Sequence, residues 1–196
     1  MFKTLSMIVA LSGLAVSLSA QTSPYPDTFK VSYFSNASPE ISCVPVNAVV
    51  DATVQITNVG TQSGSGDLYA AIYVFDPNQE MSECCACLVT PNGLLTLDIN
   101  GDLTSNPLTG ETLTTGAIEI VSSTSSNPTA VKPAAGIRAW ATHIQDASGG
   151  PNSETETPFS DSNLSAGELK SLESKCSAIH LVGSGAGICT CPMQAF

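Results

Sequence analysis

The sequence predicts a mainly β protein: an antiparallel β-sandwich of the immunoglobulin-like kind, with one C-terminal α-helix and a disulfide-tied tail. Short runs of alternating apolar residues recur between clusters of Gly, Pro, Asn and Asp, which is the pattern of strands joined by turns. The polar residues are mostly Ser, Thr, Asn and Gln, and only 12% of the chain is charged. Apolar residues at helical spacing occur near the C-terminus and predict the helix.

The strands are predicted from a two-residue periodicity. Residues 49–59 give the clearest case, because Ala52, Val54 and Ile56 share one face while polar residues occupy the other. Residues 68–75 are apolar on both faces and predict a central strand, which the turn residues 76–78 end. Further strands are predicted at residues 28–34, 94–99, 112–121 and 137–144, and another starts at the cysteine cluster 84–87.

The connections are predicted from turn chemistry and polarity. Asn100-Gly101 lies between alternating segments and predicts a hairpin, because both residues tolerate positive φ. Residues 60–66 are predicted to form a flexible loop, and residues 145–163 a polar, irregular segment. Trp140 is the single tryptophan and is expected to anchor the core.

The C-terminal helix is predicted over about residues 166–180. Ser165 and Glu168 form a capping box at its start. The residues at helical spacing that should face the sheet are Leu169, Leu172, Cys176 and Ile179. The glycine-rich stretch 183–187 ends the helix and opens the cysteine-containing tail 183–196.

The first 20 residues have the parts of a secretory signal peptide. Lys3 precedes a short apolar run at residues 8–18, and the small residues Ser17, Ser19 and Ala20 offer a cleavage site. Cleavage after Ser19 or Ala20 leaves one domain, residues 21–196, that is secreted to the periplasm, the cell surface or the medium. No cysteine is placed to take a lipid at the new N-terminus, so no membrane anchor is expected.

The charge balance excludes one class of partner. The chain has a net charge of −11, and removal of Lys3 with the signal peptide makes it −12. Such a surface repels phosphate backbones, so we expect no nucleic-acid partner. The carboxylates identify no partner, although a protein or a glycan at the cell surface is compatible with them.

All seven cysteines lie in the predicted mature chain: Cys43, Cys84, Cys85, Cys87, Cys176, Cys189 and Cys191. Disulfides are the default state of exported cysteines, and three pairs with one cysteine left over is the simplest arrangement. In a strand, Cys85 and Cys87 share a face that Cys84 does not. We expect at least one bridge from this cluster to Cys189 or Cys191, and a second bridge that holds Cys176 to the sheet, with Cys43 as the suggested partner.

A metal site is the alternative use of the same cysteines. Cys85, Cys87, Cys189 and Cys191, with His180, offer soft ligands for zinc or copper(I). The paired cysteines are separated by one residue, whereas zinc ligands usually have a gap of two or more. Export also favours oxidation of the thiols, so disulfides are preferred, and neither a metal nor another cofactor is predicted.

Other catalytic and binding motifs have simpler interpretations. Residues 98–102 resemble the start of a calcium loop, but the glycine is one place early and the twelfth position is Thr109. The glycines at 183–187 follow a helix, whereas a phosphate-binding loop precedes one. The two histidines, His143 and His180, are interpreted as structural, and the acids clustered at Glu154, Glu156 and Asp161 as solvated. No catalytic residue is predicted.

Residues 84–94 read CCACLVTPNGL, and this segment resembles a group of uncharacterised secreted bacterial proteins with a CCxCxVTPNGL motif. Similarity to that group continues at residues 102–106, 136–140 and 164–169, and at the tail segment GAGIC at residues 185–189. The group spaces its last cysteines two residues apart, whereas Thr190 alone separates them here. The resemblance implies an exported setting and no known activity.

We therefore expect a secreted or cell-surface module without catalytic activity, with a structural, adhesive or ligand-binding role. The first alternative is an exported protein that depends on a metal or on thiols and uses the two cysteine clusters. The second alternative is a carboxylate-based hydrolase on the same scaffold, since acidic residues are plentiful.

Overall fold

In the computed structural model, the described residues are 25–36, 51–60, 66–111, 113–145 and 153–192. They form nine strands and one α-helix, with a single π-helical turn at Ile99–Leu103 between β5 and β6. The elements are β1 Tyr25–Ser35, β2 Thr53–Asn58, β3 Leu68–Phe75, β4 Met81–Val89, β5 Leu94–Asp98, β6 Thr115–Ser123, β7 Ile137–Gln145, β8 Ser153–Pro158, β9 Ser160–Leu164 and α1 Ala166–Val182.

The strands form two antiparallel sheets. The five-stranded sheet has the order β4-β3-β6-β1-β9, and the four-stranded sheet has the order β5-β2-β7-β8. Alternate residues of both sheets point into one shared core, for example Ile72 and Ile120 from the first sheet and Ile56 and Leu97 from the second. The predicted antiparallel β-sandwich is confirmed.

The helix adds a third layer on the outer face of the five-stranded sheet. Leu172 and Ile179 of α1 pack there against Phe29, Tyr73 and Val121. The sheet is therefore apolar on both sides, which explains why β3 is buried along almost its whole length. Among the described residues, no helix is long and apolar enough to cross a membrane.

The predicted capping box begins the helix. The Ser165 hydroxyl accepts a hydrogen bond from the Glu168 N–H at 3.0 Å, which satisfies one of the free donors of the first turn. All four residues predicted to face the sheet are buried: Leu169, Leu172, Cys176 and Ile179. The helix ends at Val182, two residues beyond the predicted end.

The predicted hairpin at Asn100-Gly101 is wrong. Residues 99–103 form one π-helical turn instead. The Asp51 carboxylate accepts hydrogen bonds from the N–H groups of Asn100 and Gly101, and the Asp102 carboxylate accepts one from the Asp98 N–H. These side chains satisfy the backbone donors that a hairpin ladder would have used, so no strand follows β5 directly.

The segment 145–163, predicted to be irregular, contains the two strands β8 and β9. Their side chains are almost all exposed because both strands lie at sheet edges, so they lack the apolar alternation by which strands are predicted. Trp140 is not a full core anchor, since it is only half-buried. It pairs with Gln55 and Pro158 on the four-stranded sheet.

Other predicted boundaries shift by a few residues. β1 begins at Tyr25 rather than at residue 28, and the cysteine cluster lies within β4 rather than at its start. The predicted signal peptide, residues 1–20, lies outside the described residues, as do positions 49–50, 61–65 and 112 of the predicted strands and loop. Positions 146–152 of the predicted irregular segment and 193–196 of the predicted tail also lie outside them.

Candidate functional site

The cysteines of β4 join this strand to two other parts of the chain. Cys85 bridges to Cys189 and Cys87 to Cys191, with Cα–Cα distances of 5.4 and 5.3 Å. The expected link between the cluster and the tail is therefore present twice. Both pairs belong to the core between the sheets, because Cys85 and Cys87 share the inner face of β4.

The helix is held by a bridge from the other face of the same strand. Cys84 bonds to Cys176 with a Cα–Cα distance of 5.9 Å. The suggested partner of Cys176, Cys43, is wrong: Cys84 points to the outer face of β4, directly under the helix, and bonds to Cys176 there. Cys43 itself lies outside the described residues.

The tail is also held to β4 by its backbone. The Cys84 N–H donates to the Gly187 carbonyl at 2.8 Å, and the Thr190 N–H donates to the Asp102 carbonyl at 2.9 Å. Gly187 has a φ of +79°, and a Cβ there would lie 2.3 Å from the Ile179 side chain. Only glycine fits this approach, so the predicted tied tail is also fixed by its backbone at residues 187–190.

The proposed thiolate ligands are oxidised in this state. Cys85, Cys87, Cys189 and Cys191 are all in disulfides. His180 is not beside them but lies within 4.8 Å of the sulfur atoms of Cys84 and Cys176. Disulfides persist in oxidising compartments, so three bridges are consistent with a protein outside the cytoplasm.

A groove of about 380 Å³ opens where the end of α1 meets the β3–β4 hairpin and residues 108–109. Met81 and Ile179 are buried along it, whereas Leu108 is 38% exposed and Val182 is 73% exposed. The residues that line the groove are Asp76, Gln79, Glu80, Met81, Ser82, Leu108, Thr109, Lys175, Ala178, Ile179 and Val182. An apolar surface is therefore accessible on the outside of the domain.

The charged residues at the rim of this groove differ in whether their side chains already have contacts within the protein. The Asp76 carboxylate accepts hydrogen bonds from the N–H groups of Asn78 and Glu80, both at 2.9 Å, which fixes the hairpin turn. The Lys175 ammonium lies 5.1 Å from the centre of the Phe75 ring. Glu80 is exposed and is free to meet a ligand.

Two carboxyl groups with raised pKa values lie elsewhere in the five-stranded sheet, Glu83 fully buried and Glu119 partly buried, and they do not form a pair. Glu83 lies opposite Val74 on the inner face, and Glu119 lies opposite Tyr73 on the face under the helix. Burial raises the pKa of each carboxyl from 4.5 to about 7. Because the sheet separates them, they cannot act together as an acid and a base.

The acids of the predicted solvated cluster are also dispersed. Glu154 and Glu156 lie on the exposed edge strand β8. Asp161 forms an ion pair with the buried ammonium of Lys30, which also contacts Asp27 at 2.8 Å. The hydrogen bond from Lys30 lowers the pKa of Asp27, so this contact stabilises the start of β1.

His143 is buried near the end of β7. Its Nε2 lies 2.7 Å from the Thr157 hydroxyl, and its ring stacks on Tyr33 with centroids 4.1 Å apart. Burial lowers the pKa of the imidazole, so the neutral form is favoured. These contacts link β7 to β1 and β8, in agreement with a structural role.

Fold and bridges together define a disulfide-braced β-sandwich with a helix packed on one sheet. Comparison with known protein families, with characterised proteins and with solved structures gives no match to this chain. The groove was not predicted from the sequence, because its three contributing segments lie far apart along the chain. The apolar Val182 at the end of the helix is the one sequence signal that points to it.

Proposed function

We propose that the protein is an exported, non-catalytic recognition module that binds a partner through the groove at the end of α1. The observation that carries the proposal is the exposure of Val182 and Leu108 along an open apolar groove, since apolar side chains in such a surface favour binding. The disulfides support the module's use outside the cell, because disulfides form and persist in oxidising compartments.

The chemistry of the partner follows from the charge of the surface. The chain carries −11 overall, and the exposed Glu80 carboxylate lies at the rim of the groove. Lys175 offers the only positive charge among the groove residues, and its ammonium is held over Phe75. A protein segment that presents apolar side chains flanked by Lys or Arg therefore complements the groove.

Synthetic peptides provide the test. The oxidised mature chain is titrated with decapeptides of four compositions, apolar or polar and cationic or anionic, and backbone amide shifts are followed by NMR. Saturable shifts at residues 76–82, 108–109 and 175–182 with the apolar cationic peptides alone are the expected result. If no peptide saturates, or if the shifts lie on the four-stranded sheet, the proposal fails.

Variants separate the groove from general hydrophobicity. Val182→Ser and Leu108→Ser should each weaken the binding of the apolar cationic peptide about tenfold or more, because each removes an apolar side chain from the contact. Leu94→Ser is the matched control, since Leu94 is 59% exposed on β5 and does not line the groove. Equal loss of affinity in all three variants would contradict the proposed surface.

Export is tested separately. The full chain, expressed with its own first 20 residues, should be recovered outside the cytoplasm with a new N-terminus at Ala20 or Gln21. An arginine substituted into the apolar run, for example Leu14→Arg, should retain the chain inside at its full mass. Recovery of uncleaved wild-type chain from the cytoplasm would contradict this part of the proposal.

A further inference from the structure

The two disulfides that fix the tail lie side by side. The sulfur atoms of Cys85 and Cys87 are 3.9 Å apart, and those of Cys85, Cys87 and Cys191 all lie within 4.8 Å of one another. The sulfur of Cys189 is bonded to that of Cys85. Three sulfur atoms therefore form a close group on the inner face of β4, and the Cys189 sulfur adjoins this group through its bond to Cys85.

The 3.9 Å between the sulfur atoms of Cys85 and Cys87 is close to the spacing of neighbouring thiolates in a zinc centre. Zinc–sulfur bonds of about 2.3 Å in a tetrahedron place neighbouring sulfur atoms about 3.8 Å apart. We infer that the reduced protein binds one Zn²⁺ with Cys85, Cys87, Cys189 and Cys191 as its ligands. The same four residues thus have two states, two disulfides or one zinc–thiolate centre, and this role is independent of the peptide groove.

Conversion of the two disulfides to the zinc–thiolate centre requires reduction first and metal binding second. Each disulfide takes two electrons from two molecules of a small thiol, which leave joined as their own disulfide, and each bridge yields two cysteine thiols. Zinc binding then displaces the thiol protons to solvent as the four zinc–sulfur bonds form. Reoxidation of the cysteines by a disulfide or a peroxide expels the ion, because the sulfur atoms then bond to one another.

The backbone keeps the two cysteine pairs together when the bridges open. The tail remains paired with the sheet edge through the hydrogen bonds of the Cys84 N–H to Gly187 and of the Thr190 N–H to Asp102. An opened bridge needs its two sulfur atoms to separate by less than 2 Å or so to reach the tetrahedral spacing, which side-chain rotation supplies. The ligands are thus held near their binding positions.

The surroundings suit a closed site of the structural kind. Cys87 is fully buried, and Cys85 and Cys189 are 5% and 4% exposed. Cys191 is half-buried and provides the entry side for the reductant and the ion. All four pack against the apolar core between the sheets, which excludes water from the coordination sphere.

The third disulfide provides an internal control. Cys84 and Cys176 lie on the outer face of β4 under the helix, with His180 beside them. This group offers two sulfur atoms and one exposed imidazole, which is one ligand fewer than a closed zinc site uses. The inference therefore assigns the zinc to the inner face alone.

The experiment uses the mature chain with Cys43→Ser, so that this cysteine supplies no ligand. The protein is reduced with excess thiol, the thiol is removed without oxygen, and Co²⁺ is added as a spectroscopic probe. One equivalent of Co²⁺ should give the thiolate charge-transfer and tetrahedral ligand-field bands, and one equivalent of Zn²⁺ should abolish them. The oxidised protein should give neither signal. Far-UV circular dichroism should show a native β spectrum for the zinc-loaded reduced chain.

Two double variants decide the ligand set. Cys87→Ser with Cys191→Ser should weaken zinc binding at least about 100-fold and remove half of the charge-transfer intensity. Cys84→Ser with Cys176→Ser should leave both unchanged, and so should His180→Ala. The inference is overturned if the reduced chain, folded or unfolded, shows no tetrahedral cobalt spectrum, or if the outer-face variant loses it instead.

Discussion

Glu83 should make the stability of this protein depend on pH, and replacing it should remove that dependence. Its side chain is fully buried on the inner face of β4. One carboxylate oxygen accepts a hydrogen bond from the Asn106 N–H at 2.9 Å, while the other has no partner among the described residues. Burial without a cation disfavours the ionised form, which raises the pKa of Glu83 from 4.5 to about 7.

The sign and the size of this pH dependence of the unfolding free energy follow from proton linkage. A carboxyl whose pKa is raised by folding contributes its full stability below pH 4.5, and that contribution is lost as the pH rises to about 7. Since each pH unit of this interval corresponds to about 1.4 kcal/mol, ionisation of Glu83 costs about 3 kcal/mol of unfolding free energy. Glu119 titrates in the same interval and adds to the slope of the wild-type chain.

The assay is urea unfolding of the oxidised protein, followed by circular dichroism at about pH 4 and about pH 8. Glu83→Gln keeps the shape and the acceptor for the Asn106 N–H but cannot ionise. Relative to wild type, the variant should gain about 3 kcal/mol of unfolding free energy between the two pH values. Glu80→Gln is the control, because Glu80 is exposed in the turn that precedes β4 and its replacement removes the same charge without a buried carboxyl. An equal difference from wild type at both pH values would refute the reasoning.

Three further predictions concern the helix and its attachment, and unfolding free energies of the oxidised chain test each of them. Cys84→Ser with Cys176→Ser opens the bridge to the helix while Cys85–Cys189 stays closed, so the unfolded chain gains the freedom of a loop of only about 15 residues and the loss should be about 3 kcal/mol. Ser165→Ala should cost about 1 kcal/mol because the Glu168 N–H loses its acceptor, whereas Ser165→Thr should be nearly neutral. Leu172→Ala should cost about 3 kcal/mol, since this side chain is 1% exposed between helix and sheet. A loss below about 0.5 kcal/mol in the double cysteine variant, in Ser165→Ala or in Leu172→Ala would contradict the contact concerned.

The parts of the fold that the sequence predicts are those with a strong local signal. The alternation in residues 52–57 and the capping box at Ser165 each depend on nearby residues. The structure contains the strand β2 at the first position and the start of the helix α1 at the second. The edge strands β8 and β9 lack this signal because neither of their faces is buried. Their pairing with β7 and β1 is a property of the assembled sheets.

The hairpin error has a different origin. Asn100-Gly101 has the residue types of a tight turn, and the local pattern favoured one. The outcome depends on Asp51, which lies 49 positions earlier and accepts the Asn100 N–H. Local turn chemistry cannot anticipate a side chain that arrives from another part of the sandwich.

The candidate site was predictable only in part. The Cys-x-Cys spacing placed Cys85 and Cys87 on one face and Cys84 on the other, and this led to the expected link with the tail. The partner of Cys176 depends on where the helix lies over the sheet, which spacing does not determine. The apolar groove requires the hairpin, the 108–109 segment and the helix end to meet, so it emerges only in three dimensions.

The positions of the helix and the tail depend on how the cysteines of β4 are bonded, so the most direct measurement is a disulfide map of the exported protein. Proteolysis without reduction, followed by mass spectrometry with fragmentation between the adjacent cysteines 84 and 85, assigns each bridge. We expect one free thiol at Cys43 and the three pairs Cys84–Cys176, Cys85–Cys189 and Cys87–Cys191. A bridge between Cys43 and Cys176, or bridges closed within the two Cys-x-Cys pairs, would contradict the arrangement of helix and tail on which the rest is built.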